Sequence, residues 1–287
     1  MRRCLSLTLA VATAGCSQQA PKSVELRSDH FEVQANQKYA GPTATALAYF
    51  AEERPEVRDE LVIFLMGPEA YYRYNSKIRR FDYLENYRNN ANTSEVNGNV
   101  HYISSLTRLP FVFLALPGAF GSQGSRRDQH ASQAVQAVND AIEELKRIYS
   151  SQSVSIAAQS SATAIAASLP ALRSDIRCLA LSSGVYDWPA IVEANGWPTT
   201  YAGTKEPLAA LAAVPQYRVD PERRIVMLAD PHDRRVSFGQ SERFHDAVLA
   251  AGHRVELLQV ESTIDLKDHH NLQTEAVLTL ADCVRDS

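Results

Sequence analysis

Apolar residues in this chain fall into two kinds of run. "LVIFL" (Leu61 to Leu65) and "FVFLAL" (Phe111 to Leu116) are continuous, with no polar position to face water. Runs of that length read as strands covered on both sides. Further strands are predicted at "VSIAA" from Val154, "CLALS" from Cys178, "RIVMLAD" from Arg224 and "VELLQV" from Val255. Between them the period changes. From Gln129 to Tyr149 the apolar positions Val135, Val138, Ile142, Leu145 and Ile148 recur every three or four residues, which predicts an amphipathic helix. Further helices are predicted from Ser161 to about Leu169, stopped by Pro170, and from Gly239 to Ala251, with Gly252 as its C-cap. A last one runs from Asn271 to Cys283.

Strands alternating with helices predict an α/β fold with a mostly parallel sheet and helices on both faces. The early segment "VELRSDHFEV" alternates loosely and reads as a possible edge strand. Two inserts interrupt the rhythm. Tyr71 to Pro110 is rich in Tyr, Asn and Arg, while Gly184 to Pro221 holds Trp188, Trp197 and several prolines, placed where a short cap would cover a site. No linker divides the body, so residues 36–287 are expected to form one domain.

The first residues change the picture. Arg2 and Arg3 precede an uncharged, mostly apolar run from Cys4 to Ala14, followed by Gly15 and Cys16. That order describes a secretory signal over residues 1–15, with an apolar core too short to span a bilayer. "TAGC" resembles a bacterial lipobox, in which Cys16 would be lipidated and become the first mature residue; a plain signal peptide is the blander reading. The polar "SQQAPKS" opens a tether over residues 16–35. Ser17 after the cysteine resembles Gram-negative lipoproteins held at the periplasmic face of the outer membrane. Cys178 and Cys283 remain, and either a bridge or two buried thiols fits them.

Composition mainly excludes. A net charge of −4 supplies no basic face for nucleic acid. Neither GxGxxG nor GxxxxGK[ST] occurs, and the histidines form no zinc pattern such as HExxH, so neither cofactor nor metal is expected.

Candidate chemistry begins at "AQSSA" (Ala158 to Ala162), between a predicted strand and a predicted helix. A nucleophile elbow, usually written GxSxG, needs small flanking residues because strand and helix start lie close together. Alanine keeps the volume small, and Ser160 takes the central place. In that fold an acid follows on a loop after a later strand, and a histidine comes last. "DPHDRRV" supplies Asp233 after "RIVMLA", and "ESTIDLKDHHNL" supplies His269 and His270 after "VELLQV". Ser160, Asp233 and His270 thus occur in the required order at carboxyl ends of strands, where open α/β sheets bind ligands. Asp265 and Asp268 are rival acids, Ser182 and Ser183 a rival turn, and His232, His245 and His253 read as loop or surface residues.

"LVIFLMGPEA", "ALPGAFGSQG", "AAQSSATA", "DPHDRRV" and "HHNL" resemble the catalytic domain of the α/β-hydrolase superfamily, nearest to small bacterial relatives of the prolyl oligopeptidase family. Met66 stands where that family often has histidine, Leu116 where it has arginine, and both elbow glycines are alanine. The resemblance implies the α/β-hydrolase fold and a Ser160–Asp233–His270 triad that cleaves an ester or amide through an acyl-enzyme. Family endings of the form His-x-Leu select His270 over His269, which then packs or shapes its loop. The oxyanion donors implied are the N–H of Ser161 and a group after "LVIFL": Gly67, Glu69 or the Tyr71 hydroxyl, since Pro68 has no N–H. Small esters, thioesters or short peptides are the expected substrates, and the membrane is met through the lipid anchor. The alternative is a catalytically inactive hydrolase fold serving as a binding protein of the cell envelope.

Overall fold

The computed structural model describes residues 37–51, 59–66, 72–75, 80–83, 93–194 and 207–286. The signal segment, the tether and the strand at "VELRSDHFEV", all three expectations from the sequence, lie outside them with Cys16, as do Gly67, Glu69, Tyr71 and Trp197. Among the described residues, no helix is long and apolar enough to cross a membrane.

The described residues begin with two strands that the apolar pattern did not flag, β1 (Lys38–Ala40) and β2 (Leu47–Ala51), and β3 (Glu60–Met66) comes next among them. The first insert carries a hairpin of β4 (Tyr72–Asn75) and β5 (Arg80–Tyr83), then helix α1 (Thr93–Thr107). Next come β6 (Phe111–Ala115), α2 (Ser132–Tyr149), β7 (Ser153–Gln159), α3 (Ala162–Ser168) and β8 (Ile176–Ser182). The second insert holds α4 (Trp188–Ala194) and α5 (Ala210–Ala213). The remainder is β9 (Arg224–Ala229), α6 (Phe238–Ala250), β10 (Val255–Gln259) and α7 (Gln273–Arg285).

Eight strands form one sheet in the order β1-β2-β6-β3-β7-β8-β9-β10. Only β1 with β2 and β2 with β6 run antiparallel; the other pairs are parallel. The central strands are mostly apolar because the sheet is covered on both faces. Leu61, Ile63 and Leu65 turn to one face with Val138, Ile142 and Leu145 of α2 and Phe244 of α6. Val62 and Phe64 turn to the other, against Val96, Val100 and Ile103 of α1 and Ala276, Val277 and Leu280 of α7. Neighbouring positions thus go to opposite cores, as a strand's two-residue period requires.

Helix ends differ slightly from the expected ones, each for a local reason. The helix expected from Gln129 starts at Ser132, since Arg126–His130 form a 3-10 turn capped through Ser125 and Asp128. The last helix starts at Gln273, whose N–H is accepted by the Asn271 side chain at 3.1 Å. Gly252 has φ +83°, and the N–H groups of Gly252 and His253 bond back to Leu249 and Val248. These bonds close α6 in a Schellman motif.

Cys178 and Cys283 are joined in a disulfide that ties β8 to α7 across 105 residues of sequence. The end of the sheet from which the parallel strands start is knitted by charge. Arg223, 2% exposed, donates to the carbonyls of Arg173, Ile176 and Arg218. Beside it, Asp175 is paired with Arg173 and Lys146.

Candidate active site

The opposite end of the sheet gathers the residues singled out in the sequence. β7 lies between β3 and β8 and ends at Gln159, so Ser160 leaves the sheet near its centre. Ser160 has φ +56°, in the left-handed region that an L-residue enters at a cost. Its backbone is fixed on both sides. The Ser160 N–H donates to the Ser182 carbonyl at 3.0 Å, and its own carbonyl accepts from the N–H and hydroxyl of Thr163. Ala158 and Ala162 are fully buried, which is the small-residue demand of an elbow met without glycine. Ser161 follows in helical conformation, φ −58° and ψ −28°.

His270 Nε2 stands 2.8 Å from Ser160 Oγ, and His270 Nδ1 stands 2.8 Å from Asp233 Oδ2. The Asp233 side chain is 3% exposed and that of His270 9%. The other carboxylate oxygen of Asp233 accepts the backbone N–H groups of Arg235 and Val236 at 2.8 and 3.0 Å. That leaves Oδ2 for the imidazole. His270 is held through its backbone as well: its N–H donates to Asp265 at 3.2 Å and its carbonyl accepts from Gln159 Nε2 at 2.8 Å. Gln159, fully buried, takes the Ser182 hydroxyl on its other end.

The rival acids and Ser182 are engaged elsewhere. Asp265 organises its own loop by accepting from the N–H groups of Asp268 and His270. Asp268 pairs with Arg235 at 2.9 Å. Ser182 gives its hydroxyl to Gln159 and the Ala158 carbonyl. His232 is exposed, His245 sits beside Asp246, and the His253 ring tilts against Tyr217. Among the described residues no group of His, Cys, Asp or Glu side chains is arranged to hold a metal ion.

Two features escaped the sequence reading. His269, expected to pack or shape its loop, has a partner that the sequence did not point to: its Nδ1 lies 3.1 Å from Asp230 Oδ2, and the Asp230 side chain is fully buried. Burial alone would raise the Asp230 pKa. The N–H groups of Ser262 and His232 and the His269 ring outweigh it and hold the carboxyl below its ordinary value. The second feature lies on the cap side, where the His130 ring stacks on Trp188 with centroids 4.2 Å apart and planes 5° apart. Burial lowers the His130 pKa to about 4. The loop leading from β8 into α4 also depends on one glycine, since a Cβ on Gly184 would lie 2.2 Å from the Tyr186 ring.

No protein-family model and no curated protein matches the chain. Its structure does have relatives. The Pyrococcus furiosus esterase Pf2001 superposes with a TM-score of 0.58 at 11% identity, covering 87% of this chain and 93% of the esterase. Est1E from Butyrivibrio proteoclasticus gives 0.56 at 9% identity, over 87% of this chain and 98% of the other. The Pyrococcus horikoshii acylaminoacyl peptidase gives 0.58 at 12% identity, over 87% of this chain and 41% of the peptidase. The chain thus spans about two fifths of the acylaminoacyl peptidases that it matches. Likeness at this level of identity defines the fold, and the fold is that of the α/β-hydrolases.

Proposed function

We propose that the protein is a serine hydrolase that cleaves an ester or amide through an acyl-enzyme on Ser160. The observation that carries the proposal is the unbroken chain of hydrogen bonds from Ser160 Oγ through both ring nitrogens of His270 to Asp233, each 2.8 Å long. A serine hydroxyl is a poor nucleophile until a base at hydrogen-bond distance takes its proton. In this reading His270 Nε2 accepts that proton as Ser160 Oγ bonds to the substrate carbonyl carbon. Asp233 keeps the His270 proton on Nδ1 and stabilises the ring once it is charged. The tetrahedral intermediate then expels its alcohol, thiol or amine, which leaves with the proton from Nε2. A water molecule gives its proton to Nε2, attacks the acyl-serine, and releases the acid as Ser160 recovers its hydrogen.

The developing oxyanion needs preorganised donors, each of roughly 3 kcal/mol to the barrier. Ser161 N–H, directly after the nucleophile, is proposed as one. Gly67 or Glu69 is proposed as the second, on the segment that follows Met66, which pairs with Gln159. The substrate class proposed is a small ester, thioester or short peptide, in line with the esterases and peptidase whose fold the chain shares. We also propose that the protein is exported and held by lipid on Cys16 at the periplasmic face of the outer membrane. The Cys178–Cys283 disulfide supports export, because such bonds persist in oxidising compartments.

A fluorophosphonate probe tests the central claim, since it requires an activated serine and no knowledge of the substrate. Wild-type protein should be labelled on Ser160, and Ser160→Ala should abolish the label while leaving the fold intact. Folded wild-type protein that takes no label would sink the proposal and leave an envelope binding protein with a hydrolase fold.

A further inference from the structure

Two carboxylates leave the end of β9 three residues apart, Asp230 and Asp233, and two adjacent histidines meet them one to one. We propose that His269 is a positioning residue: its bond to Asp230 holds the backbone that delivers the His270 imidazole to Ser160. The proposal rests on the hydrolase reading above and adds a second Asp–His pair to it.

Three observations carry it. First, His269 sits at φ +54°, a left-handed conformation in which glycine or asparagine would be less strained. The residue found there is one whose ring reaches Asp230. Second, Asp230 is built as a fixed anchor. Its side chain is fully buried, with Oδ1 taking the His232 N–H at 2.8 Å and Oδ2 taking the Ser262 N–H at 2.7 Å beside the His269 ring. Third, Asp265 and Gln159 hold this loop through its backbone atoms, and Asp268 ties it to the acid loop by its ion pair with Arg235 and by accepting the Arg234 N–H on its carbonyl. The ring of His269 adds a fastening of the histidine pair itself to Asp230, at the strand end that also bears Asp233. With Asp230 occupied by His269, Asp233 is left to His270, and the register of the pair is set.

The bond uses Nδ1, which fixes the choice of variants. The amide nitrogen of asparagine lies as many bonds from Cα as Nδ1, and asparagine also tolerates positive φ. Glycine removes the ring and relieves the backbone. On any ester that the wild type turns over, His269→Gly should lower kcat about 10- to 100-fold, the loss expected when a reacting group is misplaced by about 1 Å. KM should hardly change, and His269→Asn should recover most of the rate. A glycine variant with wild-type kcat, or an asparagine variant no better than glycine, would overturn the proposal. If the glycine variant does not fold, asparagine is compared with His269→Gln, whose amide lies one bond too far out. Asparagine should then be the faster, and equal rates would count against the proposal. Probe labelling of wild-type Ser160, and its loss in His270→Ala, separates the two levels. Wild-type protein without label overturns the triad and this proposal together, whereas normal labelling with an unaffected glycine variant overturns the positioning role alone.

Discussion

Replacing Ser160 by glycine should make the protein more stable than replacing it by alanine, although both variants lose the same hydroxyl. The reason is φ +56° at this position. An L-residue there costs about 1–2 kcal/mol relative to its ordinary conformations, and glycine escapes that cost. Against it stands the greater freedom of glycine in the unfolded chain, about 0.4–1 kcal/mol. The balance favours glycine by roughly 1 kcal/mol. The conformation itself will persist in both variants, because the bonds from Ser160 N–H to Ser182 and from Thr163 to the Ser160 carbonyl involve main-chain atoms at position 160. In a domain of this size 1 kcal/mol corresponds to about 2–4 °C in Tm. Calorimetry on the two purified variants, both inactive toward the fluorophosphonate probe, measures the difference without interference from turnover. An alanine variant that melts at or above the glycine variant would show that Ser160 carries no backbone strain, and the elbow would lose its physical basis.

Reducing the Cys178–Cys283 bond should lower stability by about 4–5 kcal/mol, the loop entropy for a closure of this length, seen as a lower urea midpoint with reductant. Unchanged midpoints would mean that the cysteines do not pair. Asp233→Asn should cut kcat by several orders of magnitude with the fold intact, because the amide no longer fixes the His270 tautomer; near-normal turnover would reassign the acid. His130, with its pKa lowered to about 4 against 6.5, adds stability that is complete above pH 6.5 and is lost as pH falls from there to 4. The loss should reach roughly 3 kcal/mol, and His130→Phe should flatten that part of the profile. Cys16→Ser should release the protein from membranes or leave its signal uncleaved; a wild-type protein that is wholly soluble with an unmodified N-terminus contradicts the anchor.

The site was legible where the pattern is forced by topology. A strand covered on both faces is mostly apolar, so Leu61–Leu65 and Phe111–Leu116 announced themselves, and a serine, an acid and a histidine after β7, β9 and β10 followed from their order. α1 was not legible, because "TSEVNGNVHYISSLT" mixes Ser, Thr, Asn and Gly among its apolar residues. Its Val96, Val100 and Ile103 do carry helical spacing, a signal weak enough to be lost inside a polar insert. β1 is short and at the edge, where pairing rather than composition makes the strand. The disulfide stayed open because a separation of 105 residues says nothing about proximity. The Asp230–His269 pair escaped for a different reason: adjacent histidines and acids three apart allow two registers, and only the fold chooses between them.

The sheet ends differ in what a substitution there can change. At one end Arg223 satisfies three carbonyls and Asp175 binds two cations, so the starts of β8 and β9 are clasped to the segments beside them. At the other end the loops after β7, β9 and β10 hold Ser160, Asp233 and His270, joined to one another through their side chains. On the activity proposed above, selection for heat tolerance can therefore act on the first end without altering what is cleaved. Selection for a new substrate can act on the second without loosening the foundation, so long as it spares the handful of residues that hold the imidazole.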